Sequence, residues 1–245
     1  MTSAEESSGA GRREAGQALT ETPAYPPTSY RPPTGATRVI LVRHAQPVPY
    51  RPSADRGTLG GQDDPVLSAL GRQQAQAVAR SLAGRHIGAI YSSPLRRALE
   101  TAAPLSELLG LDVRVLADLR EVNLGTWEAG LVHQRISERD PVWDEVWRRE
   151  RWDAIPGAEP NEVLRSRVRS AIEEIHARHQ QETVAVFTHD GVIAAALSLA
   201  TGSRPFAFAS SGHTSTSDLV VTEDQGWRLR SFNDRQHMWR QPGRP

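Results

Sequence analysis

Val39-Ile40-Leu41-Val42-Arg43-His44-Ala45-Gln46 and, far downstream, Val184-Ala185-Val186-Phe187-Thr188-His189-Asp190-Gly191 decide how this chain is read. Each opens with a continuous apolar run of strand length, the pattern of a strand buried on both faces. Each then reaches a histidine and passes into a loop or helix start. In open α/β sheets, ligands bind beyond the carboxyl ends of the strands. Both histidines are therefore expected at one edge of a sheet. An arginine beside one of them suits a phosphoryl group passed to nitrogen.

The rest of the chain supports that sheet. Ser68 reads as the N-cap of a helix over 69–83, whose Leu70, Ala77, Val78 and Leu82 recur at helical spacing. A short strand over 87–91 ends at Ser92-Ser93-Pro94, and a helix runs from Pro94 towards Leu109 and stops at Gly110. A strand follows at 113–116. Residues 162–181 form an amphipathic helix, and another helix spans 191–200. Strands at 217–221 and 227–232 close the pattern. Residues 47–65 are read as loop, broken by Gly57, Gly60 and Gly61. This alternation predicts an α/β fold, a three-layer α/β/α sandwich around a mainly parallel sheet. The expected domain covers 37–235, with a helical excursion at about 128–160 that carries Trp143, Trp147 and Trp152 as core or lid packing. Residues 1–36, rich in Ser, Thr, Gly and Pro, are read as a disordered tail, and 236–245 as a polar C-terminal tail.

Composition narrows the chemistry. The 245 residues are 38% hydrophobic and 24% charged, with a formal net charge of zero. That balance gives no reason to expect nucleic acid or a membrane surface as partner. Cysteine is absent, so thiol nucleophiles and thiolate metal sites are excluded. All 29 basic residues are arginine, so no lysine serves as a Schiff-base or P-loop residue. The N-terminus lacks the apolar segment of a signal peptide, and the expected location is cytoplasmic.

Five runs, in order, carry a resemblance. They are Leu41-Val42-Arg43-His44-Ala45, Leu67-Ser68-Ala69-Leu70-Gly71-Arg72-Gln73-Gln74-Ala75, and Ser93-Pro94-Leu95-Arg96-Arg97-Ala98-Leu99-Glu100-Thr101-Ala102. Glu121-Val122-Asn123-Leu124-Gly125-Thr126-Trp127-Glu128 and His189-Asp190-Gly191-Val192-Ile193 complete the set. Together they resemble the histidine phosphatase superfamily, the phosphoglycerate mutase-like family, over roughly residues 37–232. The resemblance implies a phosphoglycerate mutase-like fold and a metal-independent phosphomonoester hydrolase with no cofactor. His44 would be the nucleophile, and Arg43, Arg97 and His189 would hold the phosphoryl group. Glu121 would act as general acid and base. Gln46 and His213 are further expected substrate contacts. The partner expected is a small phosphorylated substrate; nothing in the sequence sets the oligomeric state.

Four residues depart from the family pattern. Ala45 stands where glycine normally follows the nucleophilic histidine, Gln46 and Pro47 replace the common Glu-Thr pair, and Asp190 replaces the first glycine after the second histidine. Asp190 would disfavour phosphate if it pointed inward, so an outward turn or a bond to a loop is expected. Three other readings compete. A cofactor-dependent mutase shares both histidines but has a different acid element. A metal-dependent His-Asp phosphohydrolase is suggested only by His189-Asp190. A non-catalytic phosphate-binding protein is opposed by the filled catalytic positions. His176 and His179 are expected on a solvated helix face, and Arg96 is expected to face solvent while Arg97 faces the site.

Overall fold

The apolar run at 39–42 forms the centre of strand β1 (Thr37–Arg43), and its alternate side chains divide two cores. Val39 and Leu41 pack on one face, Ile40 and Val42 on the other, and all four are fully buried. A computed structural model describes residues 30–52 and 57–238, and the architecture below concerns the unit from Pro32 onward. Burying one such side chain contributes about 1.5–3 kcal/mol, which is why a strand covered on both faces carries no polar residue at its centre.

The chain continues through a small hairpin, β2 (Thr58–Leu59) and β3 (Gln62–Asp63), then α1 (Ala69–Ala83), β4 (Ile87–Ser92), α2 (Arg96–Leu109) and β5 (Val113–Val115). Helices α3 (Leu131–Ser137) and α4 (Pro141–Arg149) form the excursion. After them come α5 (Asn161–Arg178), β6 (Thr183–Thr188), α6 (Asp190–Thr201), β7 (Thr216–Thr222) and β8 (Gly226–Asp234). Six strands form one sheet in the order β5-β4-β6-β1-β7-β8. β5, β4, β6 and β1 run parallel; β7 pairs antiparallel with both β1 and β8. Helices α5 and α6 cover one face, α1 and α2 the other. The expected α/β/α sandwich around a mainly parallel sheet is what forms. No helix among the described residues is long and apolar enough to cross a membrane.

Several expectations need correction. The 47–65 stretch is not all loop, because Gly60 and Gly61 both take positive φ and make the two-residue turn between β2 and β3. Helix α2 begins at Arg96, since Leu95 is still extended. The 113–116 strand stops at Val115, and α6 starts one residue early, directly after His189. Residues 236–238 form a 3₁₀ turn instead of a tail; 239–245, and the expected N-terminal tail up to residue 29, lie outside the described residues.

His176 and His179 are buried, not solvated. The end of α5 packs over the start of β1, where the Thr37 hydroxyl donates to the His179 carbonyl and accepts from His176 Nδ1, both at 2.8 Å. His179 sits one residue past the helix. Its Nδ1 donates to Glu182 at 2.8 Å, so its Nε2 accepts from the Tyr91 hydroxyl at 3.0 Å and from Arg114 at 2.9 Å. Replacing His179 with alanine leaves the buried Tyr91 hydroxyl without its acceptor. The expected cost is about 1–3 kcal/mol in urea unfolding, with phosphate binding unchanged.

Candidate active site

Strands β1 and β6 lie side by side in parallel register, with Arg43 opposite Thr188. The His44 N–H donates to the Thr188 carbonyl at 2.8 Å, so the chain leaves both strands at the same height. The imidazoles of His44 and His189 consequently stand 5.1 Å apart, centre to centre. His44 Nδ1 donates to the Ala45 carbonyl at 2.8 Å. A carbonyl only accepts, so the proton is on Nδ1 and the lone pair is on Nε2. Ala45 itself is fully buried and packs with Leu67 and Ala75, so its extra methyl points into apolar packing.

His189 is fully buried, and its Nε2 lies 2.8 Å from the Ser93 hydroxyl. That oxygen accepts from the Leu95 N–H at 3.3 Å, and His189 Nε2 is the only acceptor its own proton meets among the described residues. The His189 proton is then on Nδ1, a buried atom with no hydrogen-bond partner among the described residues. Arg97 comes from the first turn of α2 and donates to the Asp63 carbonyl at 2.7 Å. Arg96 turns away to Asp64, half-exposed. Arg43, the last residue of β1, donates through Nη1 to the Ser211 carbonyl, while its buried Nε has no partner among the described residues.

Glu121 follows the strand-like segment after α2 and is half-buried. Its carboxylate accepts from the Val122 N–H at 2.9 Å and the Gly191 N–H at 3.1 Å, the latter in the first turn of α6. Its backbone carbonyl is held by Gln62 at 2.8 Å and by Arg167 of α5 at 3.1 Å. A side chain at position 191 would bring its Cβ within 2.6 Å of Glu121 Oε1, so only glycine leaves room for the carboxyl there.

A cavity of about 170 Å³ is walled by Arg43, His44, Arg97, Glu121 and His213 and roofed by Trp127. It adjoins a wider cleft of about 620 Å³, with which it shares Arg43, Pro47, His133 and His213. Gln46 lines only that outer cleft, where its side chain accepts from Ser68 at 3.1 Å. The His213 ring lies 5.5 Å from that of His44. Asp190 turns to a loop, as expected, and accepts from Ser210 and Ser211.

Burial, with Arg97 and Arg43 close by, holds His44 well below the ordinary histidine range. Burial and the same arginines do so for His189, and burial with Arg43 brings His213 down to about 4. Burial, then the charge of Asp190, raises Glu121 above the usual carboxylate range. The arrangement therefore combines neutral imidazoles, two guanidinium groups and a carboxyl whose pKa is raised by burial. Such a set suits an anion that changes hands between nitrogen and oxygen.

The family model described as histidine phosphatase superfamily (branch 1) matches residues 39–235. The chain belongs to the histidine phosphatase superfamily. A glucosyl-3-phosphoglycerate phosphatase of Mycobacterium tuberculosis is 37% identical over 168 residues, covering 65% of this chain and 73% of that protein. The solved native structure of the mycobacterial glucosyl-3-phosphoglycerate phosphatase superposes with a TM-score of 0.68 at 33% identity, over 81% of this chain and 99% of that one. A phosphoglycerate mutase from Bacillus anthracis shares the fold, with a TM-score of 0.70 at 20% identity over 84% and 96% of the two chains. The chain spans about half the length of several other curated mycobacterial relatives that it matches.

Among the residues that hold this site together, sequence reading did not single out Gln62, Arg167 or Ser211. Each acts through a main-chain carbonyl, and no side-chain pattern marks that role. Glu128, at the end of the same 121–128 run, accepts from the Asp63 and Leu124 N–H groups at 2.8 and 2.7 Å.

The buried neutral histidines set a pH dependence of folding. Below about pH 6.5 the unfolded chain takes up protons at positions 44 and 189 that the folded chain refuses, so stability falls as pH falls below that value. Each histidine contributes up to about 1.4 kcal/mol per pH unit within its window. Urea midpoints measured from pH 7.5 to 5 should show this slope, and His44→Gln with His189→Gln should flatten it.

Proposed function

We propose that the chain is a phosphomonoester hydrolase that works through a phosphohistidine on His44, with Glu121 as general acid and then general base. The observation that supports this reading best is the tautomer of His44. Its Nδ1 proton is held by the Ala45 carbonyl, and its Nε2 lone pair belongs to a ring that lines the cavity with Arg43 and Arg97.

In the first half-reaction the His44 Nε2 lone pair attacks phosphorus and the ester P–O bond breaks. The leaving alkoxide takes the Glu121 proton. The Arg43 and Arg97 guanidinium groups and the His189 Nδ1–H neutralise charge on the transferring oxygens, where planar arginine forks fit phosphate in pairs. In the second half-reaction Glu121, now ionised, takes a proton from water. The resulting hydroxide attacks phosphorus, the P–N bond breaks, and His44 is restored with inorganic phosphate released. Both half-reactions use the raised pKa of Glu121, first as a donor and then as a base strong enough to activate water.

The leaving group would lie in the outer cleft, beside Tyr50, His133 and Gln134. A small phosphorylated metabolite suits its size, in keeping with relatives named as glucosyl-3-phosphoglycerate and phosphoserine phosphatases.

Three expected outcomes test this. His44→Ala should lower hydrolysis of p-nitrophenyl phosphate by at least about a thousandfold. Nitrophenol needs little protonation, so Glu121→Gln should release about one equivalent in a burst and then turn over roughly 10²–10⁴-fold more slowly. Equal steady rates in wild type and His44→Ala would end the proposal. For a substrate with a poor leaving group, kcat/KM should fall as pH rises through the raised Glu121 pKa, and Glu121→Gln should lack that alkaline limb.

A further inference from the structure

Asp190 places a carboxylate next to an anion site, yet its oxygens are fully engaged on the side of the 210–213 loop. Oδ2 accepts from the Ser210 N–H at 2.8 Å; Oδ1 accepts from the Ser211 N–H at 2.7 Å and from the Ser211 hydroxyl at 2.6 Å. Ser210 has a φ of +68°, a left-handed conformation that a serine seldom takes. Two successive N–H groups around such a residue form a concave anion-binding nest, and here the anion is a side chain of the protein. The loop so held supplies the Ser211 carbonyl that accepts from Arg43 Nη1, and Ser211 is 1% exposed. Two residues on, His213 stands over His44.

We propose that Asp190 is a positioning residue for the phosphate grip: its carboxylate fixes the 210–213 loop, and the Ser211 carbonyl then fixes the Arg43 guanidinium. No other side chain of the described residues accepts from the Ser210 or Ser211 N–H groups. The loop is tied elsewhere by the Gly212 N–H, which donates to Asn233 at 2.8 Å, and by the Thr214 N–H, which donates to the Arg43 carbonyl at 3.1 Å. The Gly212 N–H shares the peptide plane of the Ser211 carbonyl, so Asn233 holds that plane from one side while Asp190 holds the main chain that leads into it from the other. Of the two, Asp190 is the charged anchor, and the Ser210–Ser211 segment that sets the carbonyl against the guanidinium hangs on it. Asp190 lies in the first turn of α6 between His189 and Gly191, so one helix start would set the second histidine, the acid and one arm of the grip.

The inference rests on phosphate being the group that this cavity takes, and inorganic phosphate is the probe. Charge alone predicts that deleting a carboxylate near an anion site tightens phosphate. If Asp190 positions Arg43, deletion instead weakens it. Titration of the full chain with inorganic phosphate should show Asp190→Ala weaker by roughly 10-fold to 100-fold, the range for a lost charge-assisted contact. Asp190→Asn keeps one acceptor oxygen and should recover part of the loss; Ser211→Ala, which keeps both main-chain bonds, should lose less than Asp190→Ala. The double variant Asp190→Ala with Arg43→Ala should bind no more weakly than Arg43→Ala alone, because both changes remove one interaction. Tighter or unchanged phosphate binding in Asp190→Ala, or losses that multiply in the double variant, would overturn the proposal. So would a fall in melting temperature with phosphate affinity intact, which is the signature of a helix-start role only. If Asp190→Ala does not fold, the same cycle runs with Asp190→Asn. Because phosphate binding is read without turnover, a wild type that bound phosphate and hydrolysed no ester would count against the hydrolase reading while the titrations still decided the brace.

Discussion

The parallel pairing of β1 with β6 is the constraint on which the site depends. Six consecutive residue pairs run from Arg38 opposite Thr183 to Arg43 opposite Thr188, and the His44 N–H extends the ladder by one more bond to the Thr188 carbonyl. A slip of one residue would turn every side chain of one strand to the other face. It would carry Val39 and Leu41 out of the α5–α6 core and separate the imidazoles that now stand 5.1 Å apart. The apolar burial that fixes the register is therefore also what brings the two histidines together. Core packing and site geometry are one constraint here.

The site works against the stability that this packing provides. Two buried imidazoles sit beside two guanidinium groups, and burial and that positive charge hold both neutral. Glu121 is held towards its protonated form although Arg97 and Arg43 favour its charge, because burial and Asp190 outweigh them. Each of these perturbations costs folding free energy at some pH, and an incoming phosphate would relieve the arginine charge that causes part of it. Pre-organised charge of this kind is what phosphoryl transfer requires, since the reaction depends on positioning and charge stabilisation more than on covalent assistance.

Much of this was legible in the sequence, for a physical reason. Continuous apolar runs, the Ser68 cap that accepts from the Gly71 N–H, and Gly110 with its left-handed φ are local signals, and they mark α1 and the end of α2 where they fall. His44, Arg43, Arg97, Glu121 and His213 come together on one cavity because they reach the same sheet edge by different routes: Arg43 and His44 end β1, Arg97 lies in the first turn of α2, Glu121 follows β5 and a short 3₁₀ turn, and His213 precedes the antiparallel β7. What did not read through was anything settled by distant main chain. The burial of His176 depends on the Thr37 hydroxyl, far away in sequence. Arg167 looks like one more polar residue on α5, yet it grips the carbonyls of Asp118, Arg120 and Glu121. The turn at Gly60-Gly61 is a standard hairpin signal, but its flanking strands are two residues each and too short to show a period.

The excursion illustrates how a second core serves the first. Trp127, Val146, Ile155, Ala158 and Phe206 form a separate apolar cluster, with Trp143 and Trp152 packed against it. Trp143 and Trp147 meet edge to face at 6.0 Å, and Trp147 meets Phe206 the same way at 5.4 Å. Edge-to-face pairs add directional preference to burial, so this chain of rings fixes relative position and does not merely fill volume. At one end Trp127 roofs the cavity over His44. At the other, Phe206 lies four residues before Ser210, where the loop bends towards Asp190 and Arg43. The aromatic cluster thus joins Trp127, which lines the cavity, to the segment that leads to Ser210 and Ser211. A helical insertion that packed only on the sheet would make no such contact with that segment; through Phe206 the excursion and the 206–211 stretch share one apolar cluster.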